Sequence, residues 1–244
     1  MTTADELKNT VRETIWSRLE TAGAVAGPVH GKIPDFAGAE DAARHLTELD
    51  EWKLARTVKI VPDRPQQPVR ERALLDGKTV YMAVPKLAAL LPFVILDPAV
   101  LGPSVREIDS SDAAVRLGQA ADLPDLEPVD FIVCGSVAVN AAGARLGKGA
   151  GYADIEVALL TMAGLIGPDT TIATTVHDLQ LADEALPELA HDFGVDVIVT
   201  PTRVIRSHRQ RRPDGIDWSA LSWEKIESIP VLARMNAGRA PGGS

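Results

Sequence analysis

Between residues 143 and 154 the chain reads Gly-Ala-Arg-Leu-Gly-Lys-Gly-Ala-Gly-Tyr-Ala-Asp. Gly143, Gly147, Gly149 and Gly151 let the backbone turn until consecutive N–H groups converge, and they let a phosphate come close. Arg145 and Lys148 add formal positive charge, one as a planar fork and one as a mobile point charge. Tyr152 ends the glycine run, and Asp154 follows where a carboxylate can hold Mg²⁺ against bound phosphates. The named phosphate motifs are absent. A P-loop needs four residues between its first glycine and Gly-Lys, whereas Ala144, Arg145 and Leu146 are all that intervene here, and Gly149 stands where Ser or Thr belongs. The spacing of Gly147, Gly149 and Gly151 also misses the dinucleotide pattern. On chemistry alone the segment is either a phosphate cradle or a flexible link between two elements.

A cradle needs a strand before it and a helix after it. Asp130–Val139 reads as the best buried strand in the chain, and Gly151–Leu165 as a helix with Ile155, Leu159 and Met162 on one side. Further strands are expected at Thr57–Val61, Thr79–Val84, Phe93–Asp97, Thr170–Val176 and Val195–Thr200, with helices at Ala39–Leu49 and Val69–Asp76. Strands alternating with helices predict an α/β fold, an open and largely parallel sheet covered on both faces. At the N-terminus, Thr3 and Glu6 form a capping-box pattern. Leu7, Val11, Ile15 and Leu19 then make an apolar stripe, with Lys8 and Arg12 on the adjoining strip. No repeat or linker divides the chain, so residues 1–235 are expected to form one domain, with a disordered tail at 236–244.

The net charge of −9 disfavours a nucleic-acid partner. The basic run Arg203, Arg206, His208, Arg209, Arg211 and Arg212 is either a solvated loop or a patch that attracts an anionic substrate. One cysteine, Cys134, excludes an internal disulfide. With no long apolar run and no secretory leader, a cytoplasmic protein with no membrane partner is expected. Trp16, Trp52 and Cys134 are assigned to the core, while Trp218 and Trp223 are expected to anchor the C-terminal part of the chain. His177-Asp178 and His191-Asp192 are read as loop caps in preference to a metal pair.

The pattern G-x-R-L-G-K-G-x-G-Y-x-D resembles the signature of the 5-formyltetrahydrofolate cyclo-ligase (methenyltetrahydrofolate synthetase) family. Lys8 and Arg12 match that family's N-terminal K-x-x-x-R, and His191-Asp192 with Val195-Asp196 resembles its closing H-D…V-D segment. The wording VKIVPDRPQQPVRERALLDGKTVYMAVPKL is similar in particular to a divergent branch, the methenyltetrahydrofolate synthetase domain-containing proteins. The resemblance implies a cyclo-ligase-like fold and an ATP- and Mg²⁺-dependent ligase acting on a reduced folate or another N-formyl or amide compound. It implies that Lys8, Arg12, Gly147, Gly149, Gly151 and Tyr152 hold the nucleotide. Arg145 and Lys148 would then act on the transferred phosphoryl group, with Asp154 and Asp196 beside the metal. A nucleotide- or folate-binding protein without turnover is the alternative.

Two departures bear on the substrate. Ala153 stands where the family carries a second tyrosine, and Asp63-Arg64-Pro65 lacks the family's substrate-site glutamate. The nucleotide half of the site is therefore expected to be kept better than the folate half. Neither the oligomeric state nor the exact substrate is legible in the sequence.

Overall fold

The fold is described from a computed structural model covering residues 3–108, 110–207 and 211–239. Helices α1 (Ala4–Thr21), α2 (Ala39–Thr47) and α3 (Asp50–Leu54) precede β1 (Thr57–Ile60). Next come α4 (Gln67–Leu75), β2 (Thr79–Ala83), β3 (Phe93–Leu96), α5 (Pro98–Leu101), α6 (Ser111–Leu117) and β4 (Gln119–Ala121). The second half contains β5 (Phe131–Cys134), β6 (Ala138–Asn140), β7 (Arg145–Leu146), α7 (Tyr152–Met162), β8 (Thr171–Thr175) and β9 (Leu181–Ala182). It ends with β10 (Val197–Val199), β11 (Val204–Arg206), α8 (Trp223–Glu227) and α9 (Pro230–Ala237).

The main sheet has the order β11-β10-β8-β5-β1-β2-β3-β4. Its centre, β10 through β2, is parallel, and β3, β4 and β11 join antiparallel at the two edges. The expected largely parallel, two-faced α/β sheet is what forms. Val58 and Ile60 pack on one face with Trp52, Val69 and Phe131. Val61, Tyr81, Ile132 and Cys134 pack on the other with α7 and α9. This is the alternation that a strand buried on both faces requires.

Four differences from the sequence expectations have physical reasons. Asp130–Val139 is two strands, because the chain breaks at Gly135, where an added Cβ would lie 2.9 Å from Ile33 Cγ2. Its second half, β6, pairs with β7 and β9 in a separate three-stranded sheet. The edge strand β4, QAA, carries no β-branched residue, so pattern alone missed it. Part of the basic run forms β11, and its described arginines are engaged within the chain. Arg203 meets Asp178 at 3.3 Å, Arg206 meets Glu51 at 2.5 Å and Arg212 meets Asp196 at 2.5 Å. His208 and Arg209 lie outside the described residues. At the C-terminus, α9 carries residues 236 and 237, which were expected to be disordered, and 240–244 lie outside the described residues.

α1 begins with the capping box: Thr3 Oγ1 accepts from Glu6 N–H and Glu6 accepts from Thr3 N–H. Its inner face is not the purely apolar stripe. Leu7 is 47% exposed, while Lys8, Arg12, Ile15, Trp16 and Leu19 are buried. Two cations therefore occupy the leading end of the face that docks on the domain. Trp52 is core as expected, and Trp218 packs against the large cluster, but Trp223 is 64% exposed.

Candidate functional site

The strand order determines where a crevice opens. The chain adds β2 on one side of β1 and later returns to add β5 on the other. The segments leaving the carboxyl ends of β1 and β5 therefore part, and open α/β sheets bind ligands at such a switch point. A cavity of about 400 Å³ lies there. Val61, Pro62 and Asp63 line it from the end of β1, and Gly135 from the end of β5. The segment from Arg145 to Asp154 and the inner face of α1 close it.

The glycine segment is built as a strand, a turn and a helix start. β6 and β7 form an antiparallel hairpin whose Gly143 has φ +84° and whose Cβ would lie 2.4 Å from Val195 O. Gly149 (φ +94°) and Gly151 (φ +73°) also take left-handed conformations, which L side chains adopt at a cost. Gly151 then serves as the N-cap of α7 without any side-chain cap bond. From Gly147 to Asp154, no backbone N–H donates to an acceptor among the described residues. A row of free N–H groups at the positive end of an eleven-residue helix is a phosphate-binding arrangement.

Cations hold this segment from outside. Arg12 Nε donates to Gly147 O at 2.7 Å, and its Nη1 donates to Asn9 Oδ1 at 2.6 Å. Lys225 Nζ donates to Ala150 O at 2.9 Å and sits 3.3 Å from the centroid of the Tyr152 ring. Lys8 pairs with Asp192 at 2.6 Å, and Asp192 also accepts from Leu189 N–H. Burial draws the Arg12 pKa below its ordinary value, opposed by Asp5 and Asp192.

Arg145 differs from Lys148 in a way the sequence does not reveal. Its side chain is 2% exposed, Nη2 donates to Asp154 Oδ1 at 2.8 Å, and Nη1 donates to Gly135 O. Its guanidinium stacks 4.0 Å from the Phe193 ring centroid, and Nε is buried without a partner among the described residues. Burial works against its charge, but Asp154, followed by Cys134 and Asp192, outweighs burial and raises the pKa. Arg145 is thus a buried brace beneath the loop. Lys148 lies at the rim, half exposed, paired with Asp63 at 3.0 Å.

The two candidate metal carboxylates do not meet. Asp154 lines the cavity, whereas Asp196 accepts from Ile172 N–H at 2.7 Å and from Arg212 at 2.5 Å, away from the cavity lining. Asp196, just before β10, thus holds the neighbouring strand β8, and the structure does not bring it together with Asp154. No group of three or more His, Cys, Asp or Glu among the described residues can hold a metal ion. The arrangement suits Mg²⁺ carried by phosphates, which needs only one or two protein carboxylates, with Asp154 next to the loop.

The His177-Asp178 pair acts as a cap. His177 Nδ1 accepts from Leu179 N–H, and Asp178 accepts from Thr200 and Thr202 hydroxyls. Cys134 is buried, and burial raises its thiol pKa. The sequence reading missed Glu156, which lines the cavity, and its buried partner Lys59 on β1. It also missed the strained rim, where Lys86 (φ 60°) and Leu87 (φ 52°) are consecutive left-handed residues without glycine. A lysine inside an apolar strand was the available signal for the first. Nothing in local sequence marks the second.

Among known proteins, residues 4–201 match the model of the 5-formyltetrahydrofolate cyclo-ligase family. The methenyltetrahydrofolate synthase domain-containing proteins of Bos taurus and Mus musculus are each 39% identical to the chain. Those alignments cover 92% and 93% of this chain, and 60% and 63% of those proteins. The chain thus spans less than two thirds of the length of these relatives. The NMR structure of Aquifex aeolicus 5,10-methenyltetrahydrofolate synthetase superposes with a TM-score of 0.52 at 22% identity. It covers 86% of this chain and 95% of that one, a likeness of fold.

Proposed function

The chain belongs to the 5-formyltetrahydrofolate cyclo-ligase family, and from that premise we propose that it is an ATP- and Mg²⁺-dependent ligase that closes 5-formyltetrahydrofolate to 5,10-methenyltetrahydrofolate. In that reaction the formyl oxygen attacks the γ-phosphorus of ATP and ADP leaves. The second folate nitrogen then attacks the activated formyl carbon, and inorganic phosphate departs.

The observation that carries the proposal is the run of unbonded N–H groups from Gly147 to Asp154 at the switch-point cavity. Such donors stabilise phosphoryl oxygens without reorganising during the reaction. Lys8 and Arg12 bring positive charge from α1, and Lys148 at the rim is free to leave Asp63 for a phosphate. Arg145 keeps Asp154 in place beside the loop. No helix among the described residues is long and apolar enough to cross a membrane, and a cytoplasmic enzyme with a small-molecule substrate is the working picture.

The test is incubation of the purified protein with Mg·ATP and 5-formyltetrahydrofolate, following the methenyl chromophore and ADP together. Formation of both in equal amounts supports the ligase. ADP without the chromophore points to another N-formyl or amide substrate. Binding without either product identifies a binding protein of the same fold.

A further inference from the structure

Lys59 is the third residue of β1, between β2 and β5 in the centre of the parallel sheet, and it is 1% exposed. Its Nζ forms an ion pair with Glu156 Oε2 on α7. An ion pair in such a place is a poor way to stabilise a fold. Desolvating both charges offsets much of their attraction, and apolar side chains of similar size often serve stability as well or better. The pair is better explained by where it ends. Glu156 lines the cavity beside Val61, Val84 and Pro85, and its Oε1 makes no hydrogen bond among the described residues.

Ala153 also lines the cavity. It lies three residues before Glu156 on α7, so the two share one helix face. A large side chain at 153 would cover the carboxylate, whereas alanine leaves it open. Asp63, the carboxylate at the end of β1, lies at the rim of the cavity beside Lys148. We infer that Glu156, oriented by Lys59, is the substrate-reading carboxylate of this site, accepting the N–H edge of an amino-oxo heterocycle such as a reduced pterin. The inference rests on the proposed ligase reading, and it reassigns the role of the glutamate missing near Asp63 to α7. A carboxylate with one oxygen fixed by Lys59 keeps acceptor capacity on the other. A donor left unpaired against it would be costly, so the residue discriminates as well as binds.

The test measures binding of 5-formyltetrahydrofolate and of Mg·ATP separately, by calorimetry, in wild type, Glu156→Gln and the double variant Lys59→Met/Glu156→Leu. The double variant removes both charges at similar volume and keeps the experiment informative if the single variant folds poorly. Folate affinity is expected to fall about tenfold or more in both, as for loss of a charge-assisted hydrogen bond, with Mg·ATP affinity within about twofold of wild type. The 2-desamino analogue of the folate is expected to bind wild type and the variants alike. If the variants lose only thermal stability while binding the folate as wild type does, the pair is structural and the inference fails. A wild type that binds Mg·ATP but no folate also overturns it while leaving the nucleotide site standing. A wild type that binds neither sinks the ligase reading itself.

Discussion

Arg12 Nε lies 2.7 Å from the carbonyl oxygen of Gly147, a contact made across 135 residues of chain. The first helix thereby fixes a peptide of the glycine loop whose own side chain can fix nothing. Arg12→Ala removes a charge-assisted hydrogen bond worth about 1.5–3 kcal/mol. It is expected to weaken Mg·ATP binding by roughly tenfold or more, read by calorimetric titration. Unchanged affinity would show that α1 does not shape the loop.

Lys148 and Arg145 are expected to separate cleanly. Lys148 is half exposed, and its pair with Asp63 contributes little to stability. Lys148→Ala should lower turnover by about a hundredfold with almost no change in melting temperature, since charge opposite a transferring phosphoryl group matters at that scale.

Arg145→Met should instead unfold more easily, by about 3 kcal/mol in denaturant titration, because it strands the half-buried Asp154 carboxylate and loses the stack on Phe193. A melting point equal to wild type would contradict the buried-brace role.

Two glycines should respond differently to alanine. At Gly143 the new Cβ would lie 2.4 Å from Val195 O in a left-handed conformation, so Gly143→Ala is expected to cost several kcal/mol and prevent stable folding, on the order of 3 or more. At Gly149 the nearest atoms are the Arg12 guanidinium at 3.4 Å, an ordinary contact, and only the positive φ is unfavourable. Gly149→Ala should cost about 1–2 kcal/mol of stability and show its main effect as weaker Mg·ATP binding. Thermal melts with and without nucleotide distinguish the two.

Lys225 lies beyond the residues matched to the family model, yet it holds Ala150 O and covers Tyr152. Lys225→Met is expected to raise the Mg·ATP dissociation constant several-fold while the apolar anchors Ile226, Ile229 and Leu232 keep α8 and α9 in place. Identical nucleotide affinity in the variant would mean that this C-terminal segment only packs against the loop.

Much of this protein is written locally. The glycine spacing, the capping box of Thr3 and Glu6 and the apolar runs of β1, β5, β8 and β10 are properties of short windows, because backbone freedom and side-chain periodicity act over a few residues. They are enough to read an α/β sheet and a glycine-rich loop opening a helix. The partners of each charged side chain were not legible, since they come from strands and helices brought together only by the sheet order. Arg145 and Lys148 stand three residues apart in one motif, and tertiary packing buries one while leaving the other at the rim. Asp154 and Asp196 look equally suited to a metal in sequence, but one faces the switch-point cavity and the other meets Arg212 and β8. Lys59 and Glu156, separated by 97 positions, became a site feature only when α7 folded across β1. Short-range sterics decided the elements, and long-range closure of the sheet decided which charges could reach a ligand.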